Sequence, residues 1–555
     1  MGKIAIILSR FRRSPWTFFL CLSIIKLWLI SHLPIRASYA GYDNLRYVVL
    51  ASNFLEPTVA YDAFTLVRQP GYPAFIFLSY LLGIPLRFSQ EIVYLAAGFL
   101  LAWSGSKFYF NKLAIFIFST LYILAPFSFH WNRQTLADVL YLPLTAFLVS
   151  CLIHIINGKN DKSLLSWSAG LGMGLAWFWN TRLEGIWIVL TIGLAYGIFA
   201  LKNGCFKIRR GRVSIELKQI IIISSLIFLP VFLTTSGISL LNYYRYGLFD
   251  TNDLKSSGFE EAYSSLEKVV SKTKQPMVEI SRSTRQQVYA VSPSFRQLKS
   301  YIENDNHWQT SSCQSGVCND YVTGLFYWVF RESVAQAGYY KSAPQTEEFY
   351  YQISREVNAA CQSEALNCEK DKLLAFLPDS NPQYIQKFFQ SFGKLSQSLI
   401  NSSLILKLDS GEEDKALRSQ YYAKITREPA NFIAFRIRVI NIWKDRFIRL
   451  MSEMYKRGFI VLLGISTFGF TLEAIFLIQT KCKDRMRSIA VLSLILSCIL
   501  VRIVLIAYID VTSWPVDAGD RYLRPVLPML WLMICLGIVY FKNHFDRLKR
   551  GEFLY

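Results

Sequence analysis

Apolar residues run in long blocks along this chain, and the blocks predict its elements. Ten of them, at 16–33, 91–106, 112–128, 136–156, 164–180, 185–201, 219–241, 458–478, 488–508 and 524–541, have the length a helix needs to cross a hydrocarbon layer. Another apolar block, 72–86, is followed by polar residues and interrupted by Pro85. Between 242 and 455 the pattern changes to apolar positions at helical spacing among charged ones, clearest in 323–340 and 346–360, with Pro344 between them and Thr346 placed as an N-cap. The expected fold class is an all-α membrane protein: a multispanning helical bundle of about ten spans with a mainly helical external domain. The expected organisation is an N-terminal membrane core over 1–241 that includes a first external loop at 34–90, an extracytoplasmic soluble domain over 242–455, and C-terminal membrane helices over 456–555.

Charge decides the topology. The chain carries a net charge of +21, which by itself could suggest nucleic acid. Residues 242–455, however, hold 26 Lys and Arg against 24 Asp and Glu, leaving 34 against 15 elsewhere. The excess therefore lies in the N-terminus, the 202–218 and 481–487 loops and the C-terminal tail, where it marks a cytoplasmic side and gives no nucleic-acid footprint. All four basic stretches share one side only if 72–86 does not cross, so that block is expected to be a re-entrant or interfacial helix. The basic flank of the first span has no small-residue cleavage site after it and reads as a retained anchor. Residues 430–450 read as a basic amphipathic helix that rests on head groups before the next span.

Four of the ten cysteines, Cys313, Cys318, Cys361 and Cys368, lie in the large polar segment as C-x4-C and C-x6-C. An even number confined to one soluble segment points to two disulfides in an oxidising compartment, with a four-thiolate zinc site as the rival. His130 and His307 have no partners at metal-ligand spacing, so no metal site is assigned; a divalent cofactor stays open without support from spacing. No P-loop, H-E-x-x-H or G-x-S-x-G motif occurs, which argues against an ATPase, a zinc protease or a serine hydrolase. The run SAGLGMGLAW lies within a span, without a following Lys-Ser/Thr, and predicts close helix packing.

The candidate chemistry collects on the outer face. Asp43 stands among Tyr39, Tyr42 and Tyr47, where a carboxylate could take a proton from a hydroxyl, or could simply cap the helix that follows. Arg68 opens the turn RQPGYP, whose prolines stiffen the chain and aim the guanidinium; it could hold a phosphate or anchor the interfacial helix. Arg133 with Asp138 and Arg182 with Glu184 flank the outer starts of two spans, as self-neutralising pairs or as a converging anion site. Arg521 and Arg524 begin the last span in RYLRPVLP, where they could reach a phosphate or a sugar or anchor the helix. Arg502, inside the ninth span, reads as a snorkelling side chain or, as an intramembrane arginine, a functional candidate.

An acid in the first external loop, the RQPGYP turn, TRLEG at the start of one span and RYLRPVLP at the start of the last together resemble the GT-C superfamily of membrane glycosyltransferases, in particular the aminoarabinose transferase and protein O-mannosyltransferase branch. The resemblance covers roughly 1–250 and 456–555. It implies a donor sugar on a polyprenyl phosphate, an acceptor lipid, glycan or protein, and Asp43 as base, with Arg68 and Arg182 on the donor phosphate. Tyr72, Arg133, Asp138, Glu184, Arg521 and Arg524 complete the expected substrate-binding set. Asn44 stands where many members have a second acid, Gln69 interrupts the usual Pro-Pro, and Leu183 replaces a frequent proline. The expected location is a bacterial inner membrane with the large domain outside. A lipid-linked-glycan transporter or scaffold, and an oligosaccharide polymerase or ligase, are the alternatives.

Overall fold

The structure, a computed structural model, describes residues 14–37, 41–56, 60–158, 162–202, 206–209, 212–215, 217–271, 275–369, 382–407, 420–428, 439–479, 484–516 and 520–550. Asp517, Tyr39 and parts of the four basic stretches that set the topology lie outside these residues, as do 430–438 of the expected amphipathic helix. All ten expected spans contain helices: α1 Pro15–Ile30, α4 Leu86–Phe108, α5 Lys112–Ile123, α6 Ala137–Asn157, α7 Lys162–Trp179, α8 Trp187–Lys202, α9 Leu217–Tyr246, α15 Val439–Gln479, α16 Asp484–Thr512 and α17 Leu527–Lys549. Among the described residues, six helices are long and apolar enough to cross a membrane. The other expected spans are shorter or more polar. Helix α5 has 12 residues, about 18 Å at 1.5 Å per residue, because the chain turns at Leu124 and Pro126 where a span to 128 was expected.

Two further helices lie in the 34–90 segment: α2, Gly41–Ser52, and α3, Gly71–Leu81. Helix α3 meets α4 at a bend of 112°, with Pro85 as the N-cap residue of α4, so the 72–86 block does not continue into the following helix as one straight rod. The one departure from an all-helical chain among the described residues is a two-stranded hairpin, Phe206–Arg209 with Arg212–Ile215, in the basic loop. Within SAGLGMGLAW, a Cβ on Gly172 would lie 2.1 Å from the Leu226 carbonyl oxygen of α9. Gly172 thus sets the close approach of α7 to α9, while Gly174 faces Phe147 and Leu148 of α6.

Two large cores form. One unites the membrane helices; the other is a second core built on α10 Ser257–Glu267, α11 Thr323–Gln336 and α12 Ala343–Gln362, in the segment expected to be external. Helix α12 begins earlier than expected. Ser342 is its N-cap and Pro344 sits in its first turn, where a missing N–H costs nothing, while Thr346 lies inside the helix and donates to the Tyr339 and Ser342 carbonyls. The disulfides join Cys313 to Cys318 and Cys361 to Cys368.

The stretch that follows the second core packs into the membrane core. Helix α13, Pro382–Ser402, contributes Leu395 and Leu399 to it, and α14, Gln420–Thr426, contributes Tyr422 and Ile425. Just beyond α14, Glu428 is buried 3.4 Å from Arg87, and burial raises its carboxyl to about 7 against the opposing pull of that guanidinium. The fold thus favours protonated Glu428: this contribution is fully present below the ordinary glutamate pKa and is lost as pH rises through 7. Glu428→Gln is expected to match wild type near pH 4 and to melt higher than wild type at pH 8. Melting curves of the two proteins across that range check it, and parallel curves would count against the assignment.

Candidate active site

The turn RQPGYP places Arg68. Pro70 precedes α3, and the Gly71 N–H donates to the Asn180 carbonyl at 2.7 Å, while the Trp177 indole N–H donates to the Gly71 carbonyl at 3.1 Å. A Cβ at Gly71 would lie 2.5 Å from the Asn180 oxygen and 2.7 Å from Thr181 Oγ1, so only glycine lets this turn rest directly on the Asn180–Thr181–Arg182 turn. That contact joins two motifs more than a hundred residues apart. Gly71→Ala is expected to cost about 1–3 kcal/mol by overpacking against backbone. A thermal unfolding comparison in detergent checks this, and an unchanged melting temperature would show that the turns need not touch.

The charged residues at this junction form one continuous network. Asp43, in the first turn of α2, accepts from Arg68 Nη2 at 2.5 Å and lies 3.5 Å from Arg521 Nη2. Arg521 Nε reaches Asp138 Oδ2 at 2.9 Å, and the other Asp138 oxygen pairs with Arg182. Arg182 Nε donates to Glu184 at 2.7 Å, and the same carboxylate oxygen lies 3.3 Å from Arg502 Nη2. Four arginines thus meet three acids, leaving net positive charge where an anion could dock.

Exposure divides the network. The side chains of Asp138 and Arg502 are fully buried, whereas Asp43 and Arg68 are each 19% exposed and Glu184 is 21% exposed. Asp138 therefore orients Arg182 and Arg521, and Asp43 is an acid a substrate could reach. Tyr47, beside them, is buried, and burial pushes its phenol up to about 12, so it stays neutral at ordinary pH.

Arg502 was the surprise of position. It does not snorkel: it is buried, donates from Nε to the Tyr522 carbonyl at 2.8 Å, and lies over the Trp187 ring at 5.4 Å. The available signal was only that an arginine inside a span needs a partner; which partner was not readable. Three expected residues stand apart from the network. Tyr72 is completely buried and its hydroxyl contacts Gln90 Oε1 at 2.5 Å. Arg133 donates to the Phe129 and Pro34 carbonyls, pinning the first loop where Arg36 pairs with Gln134. Arg524 is buried 3.6 Å above the Trp131 ring. Asn44, in place of a second acid, donates to the Arg36 carbonyl at 3.2 Å and to Gln134 and Thr135 side chains. Among the described residues, no group of three His, Cys, Asp or Glu side chains is placed to hold a metal ion.

A groove of about 430 Å³ adjoins the network. Its walls are mainly apolar, from Leu50, Pro73, Met173 and Ile238 on α2, α3, α7 and α9, and Arg68 lines it as well. Met173 and Leu241, also on the wall, are largely exposed on the outer surface of the bundle, so the groove is open toward the side where lipid would lie. It combines room for an apolar chain with a guanidinium for an anionic head.

No protein-family model matches the chain, and neither does any curated protein. Among solved structures, the chain is similar to the crystal structure of ArnT from Cupriavidus metallidurans bound to undecaprenyl phosphate, at 10% identity over 97% of this chain and 79% of that one, with a TM-score of 0.30. The apo structure of the same protein matches at 10% identity over 93% and 76% of the two chains, with a TM-score of 0.31. Superposition at that level carries no argument about function, which rests instead on the residues of the network and the groove.

Proposed function

We propose that this protein is a membrane glycosyltransferase of the GT-C type, moving a sugar from a polyprenyl-phosphate-linked donor to a hydroxyl of a lipid, glycan or protein acceptor on the extracytoplasmic side. The observation that carries the reading is the junction of an apolar groove open at the bundle surface with an arginine-rich network in which Asp43 is partly exposed and paired with the groove-lining Arg68. The isoprenoid chain lies in the groove with its phosphate at Arg68, and Arg182 and Arg521 add positive charge behind it. The acceptor oxygen attacks the anomeric carbon and gives its proton to Asp43. The bond from that carbon to the phosphate oxygen breaks, and its electron pair stays on the phosphate, where the arginines stabilise it. A phosphate leaving group needs no acid to protonate it, so one base with several cations suffices.

Transport is the weaker reading. The deeper charges, Lys26 and Glu91, lie 3.8 Å apart, with Lys26 donating to the Ile123 carbonyl at 3.0 Å and Asn132 donating to Glu91 at 3.1 Å. They are buried and tied into the bundle, and do not form a polar path across it. The test is transfer of labelled sugar from a polyprenyl-phosphate donor by purified protein to lipid, glycan and peptide acceptors. Absence of transfer, together with movement of the labelled carrier between leaflets of reconstituted vesicles, would replace the enzyme with a transporter.

A further inference from the structure

A side chain of the expected external domain meets Arg68 of the charged network. Trp328, on α11, lies with its ring 4.7 Å from the Arg68 guanidinium carbon. Arg68 is thus held on one edge by Asp43 and on one face by an indole, and its buried Nε makes no hydrogen bond among the described residues. Helix α11 is fixed over this point from both ends. At its start the Gly324 N–H donates to the Ser513 carbonyl at 2.8 Å, and a Cβ there would lie 3.3 Å from Trp514. One turn beyond Trp328, Arg331 pairs with buried Asp253, whose backbone N–H donates to the Leu66 carbonyl at 3.0 Å, two residues before Arg68. Tyr327 adds a bond to the Leu254 carbonyl at 2.7 Å. The first loop is held in turn by the second core, since Ala63 is part of it and Tyr61 stacks on Tyr340 with ring centroids 6.0 Å apart.

We propose that Trp328 is a positioning residue for Arg68, fixing the guanidinium plane so that its remaining edge meets the donor phosphate. The external domain is then part of the donor site and does more than present an acceptor. The inference rests on the glycosyltransferase reading and adds a residue that the motifs of the membrane core do not contain. A guanidinium over an aromatic face is worth about 0.5–2 kcal/mol, or roughly 2- to 30-fold in affinity, and the interaction weakens as the ring's quadrupole weakens.

The test measures binding of sugar-free polyprenyl phosphate to the full-length protein, and donor and acceptor KM with kcat, for wild type, Trp328→Phe, Trp328→Met, Trp328→Leu and Arg68→Ala. Affinity and donor KM should worsen in the order Trp, Phe, then Met and Leu together, reaching about 5- to 20-fold for the last two, with acceptor KM unchanged. The comparison is made on the variants that keep the wild-type melting temperature, so failure of one to fold leaves the graded series readable. Equal effects of Phe and Leu, or a shift in acceptor KM alone, would overturn the positioning role. If Arg68→Ala binds the carrier as tightly as wild type, the donor-site reading itself fails, whatever the Trp328 series shows.

Discussion

Asp43→Asn should fold like wild type and lose about 10²- to 10⁴-fold in transfer rate at saturating donor and acceptor, the range expected when a general base is removed from a reacting hydroxyl. The substitution keeps the shape of the side chain and its place in the first turn of α2, and it deletes the charge that meets Arg68 at 2.5 Å. Asp43 and Arg68 keep contact with solvent at 19% exposure each, and Asn can still accept from Arg68, so the melting temperature should fall by less than in a variant that empties the fully buried Asp138 position. Carrier binding should hold or strengthen, because Arg68 loses a competing anion. The measurements are kcat with both substrates saturating, a carrier-binding curve and a thermal melt on the same preparation. Full transfer by a folded Asp43→Asn protein would remove the base role and leave Asp43 as a tether for Arg68.

Asp138→Ala should act in the opposite way, through stability first. Asp138 is completely buried near the N-terminus of α6 and faces Arg182 on one oxygen and Arg521 at 2.9 Å on the other. Its removal leaves two guanidinium groups adjacent, little exposed and without the carboxylate between them. Breaking a buried ion pair by removing one partner costs about 3–5 kcal/mol, and the adjacent helix start would have favoured the lost negative charge as well. The variant is expected to melt well below wild type. It should also be inactive at temperatures where it remains folded, since Arg182 and Arg521 lose the group that orients them. Asp138→Asn, which keeps hydrogen-bonding capacity without the charge, should fall between the two. Equilibrium unfolding of the three proteins checks this, and an alanine variant within about 1 kcal/mol of wild type would mean that Arg521 and Arg182 find other partners.

Some of this site was legible before any fold. The stiff RQPGYP turn and the acid ahead of it could be read locally, because prolines and a helix-starting acid act over a few residues. The same holds for the arginine and glutamate of TRLEG, two residues apart and bonded at 2.7 Å. Other members needed distance in space. Arg521 meets Asp138 across 383 positions of chain and Arg502 meets Glu184 across 318, and no local pattern encodes such pairs. Arg133, Arg524 and Tyr72 show the converse: the first two have suitable chemistry at the end of a span, and Tyr72 has it in the RQPGYP turn. The packing of the 34–36 and 133–135 backbones, the Trp131 ring and the Gln90 side chain turns them elsewhere.

The sequence by itself determined the membrane helices and the mainly helical character of the large polar segment between them. Apolar block length and charge asymmetry act along the chain, and burial follows from them directly. Tertiary structure alone decided which arginines share a carboxylate, that Arg502 is buried and paired and does not snorkel, that α13 and α14 return to the membrane core, and that Trp328 of α11 lies on Arg68. Those outcomes depend on angles and separations of a few ångströms between distant segments. An ion pair or a stacked ring gains its energy only within that range, and the order of residues along the chain does not fix it.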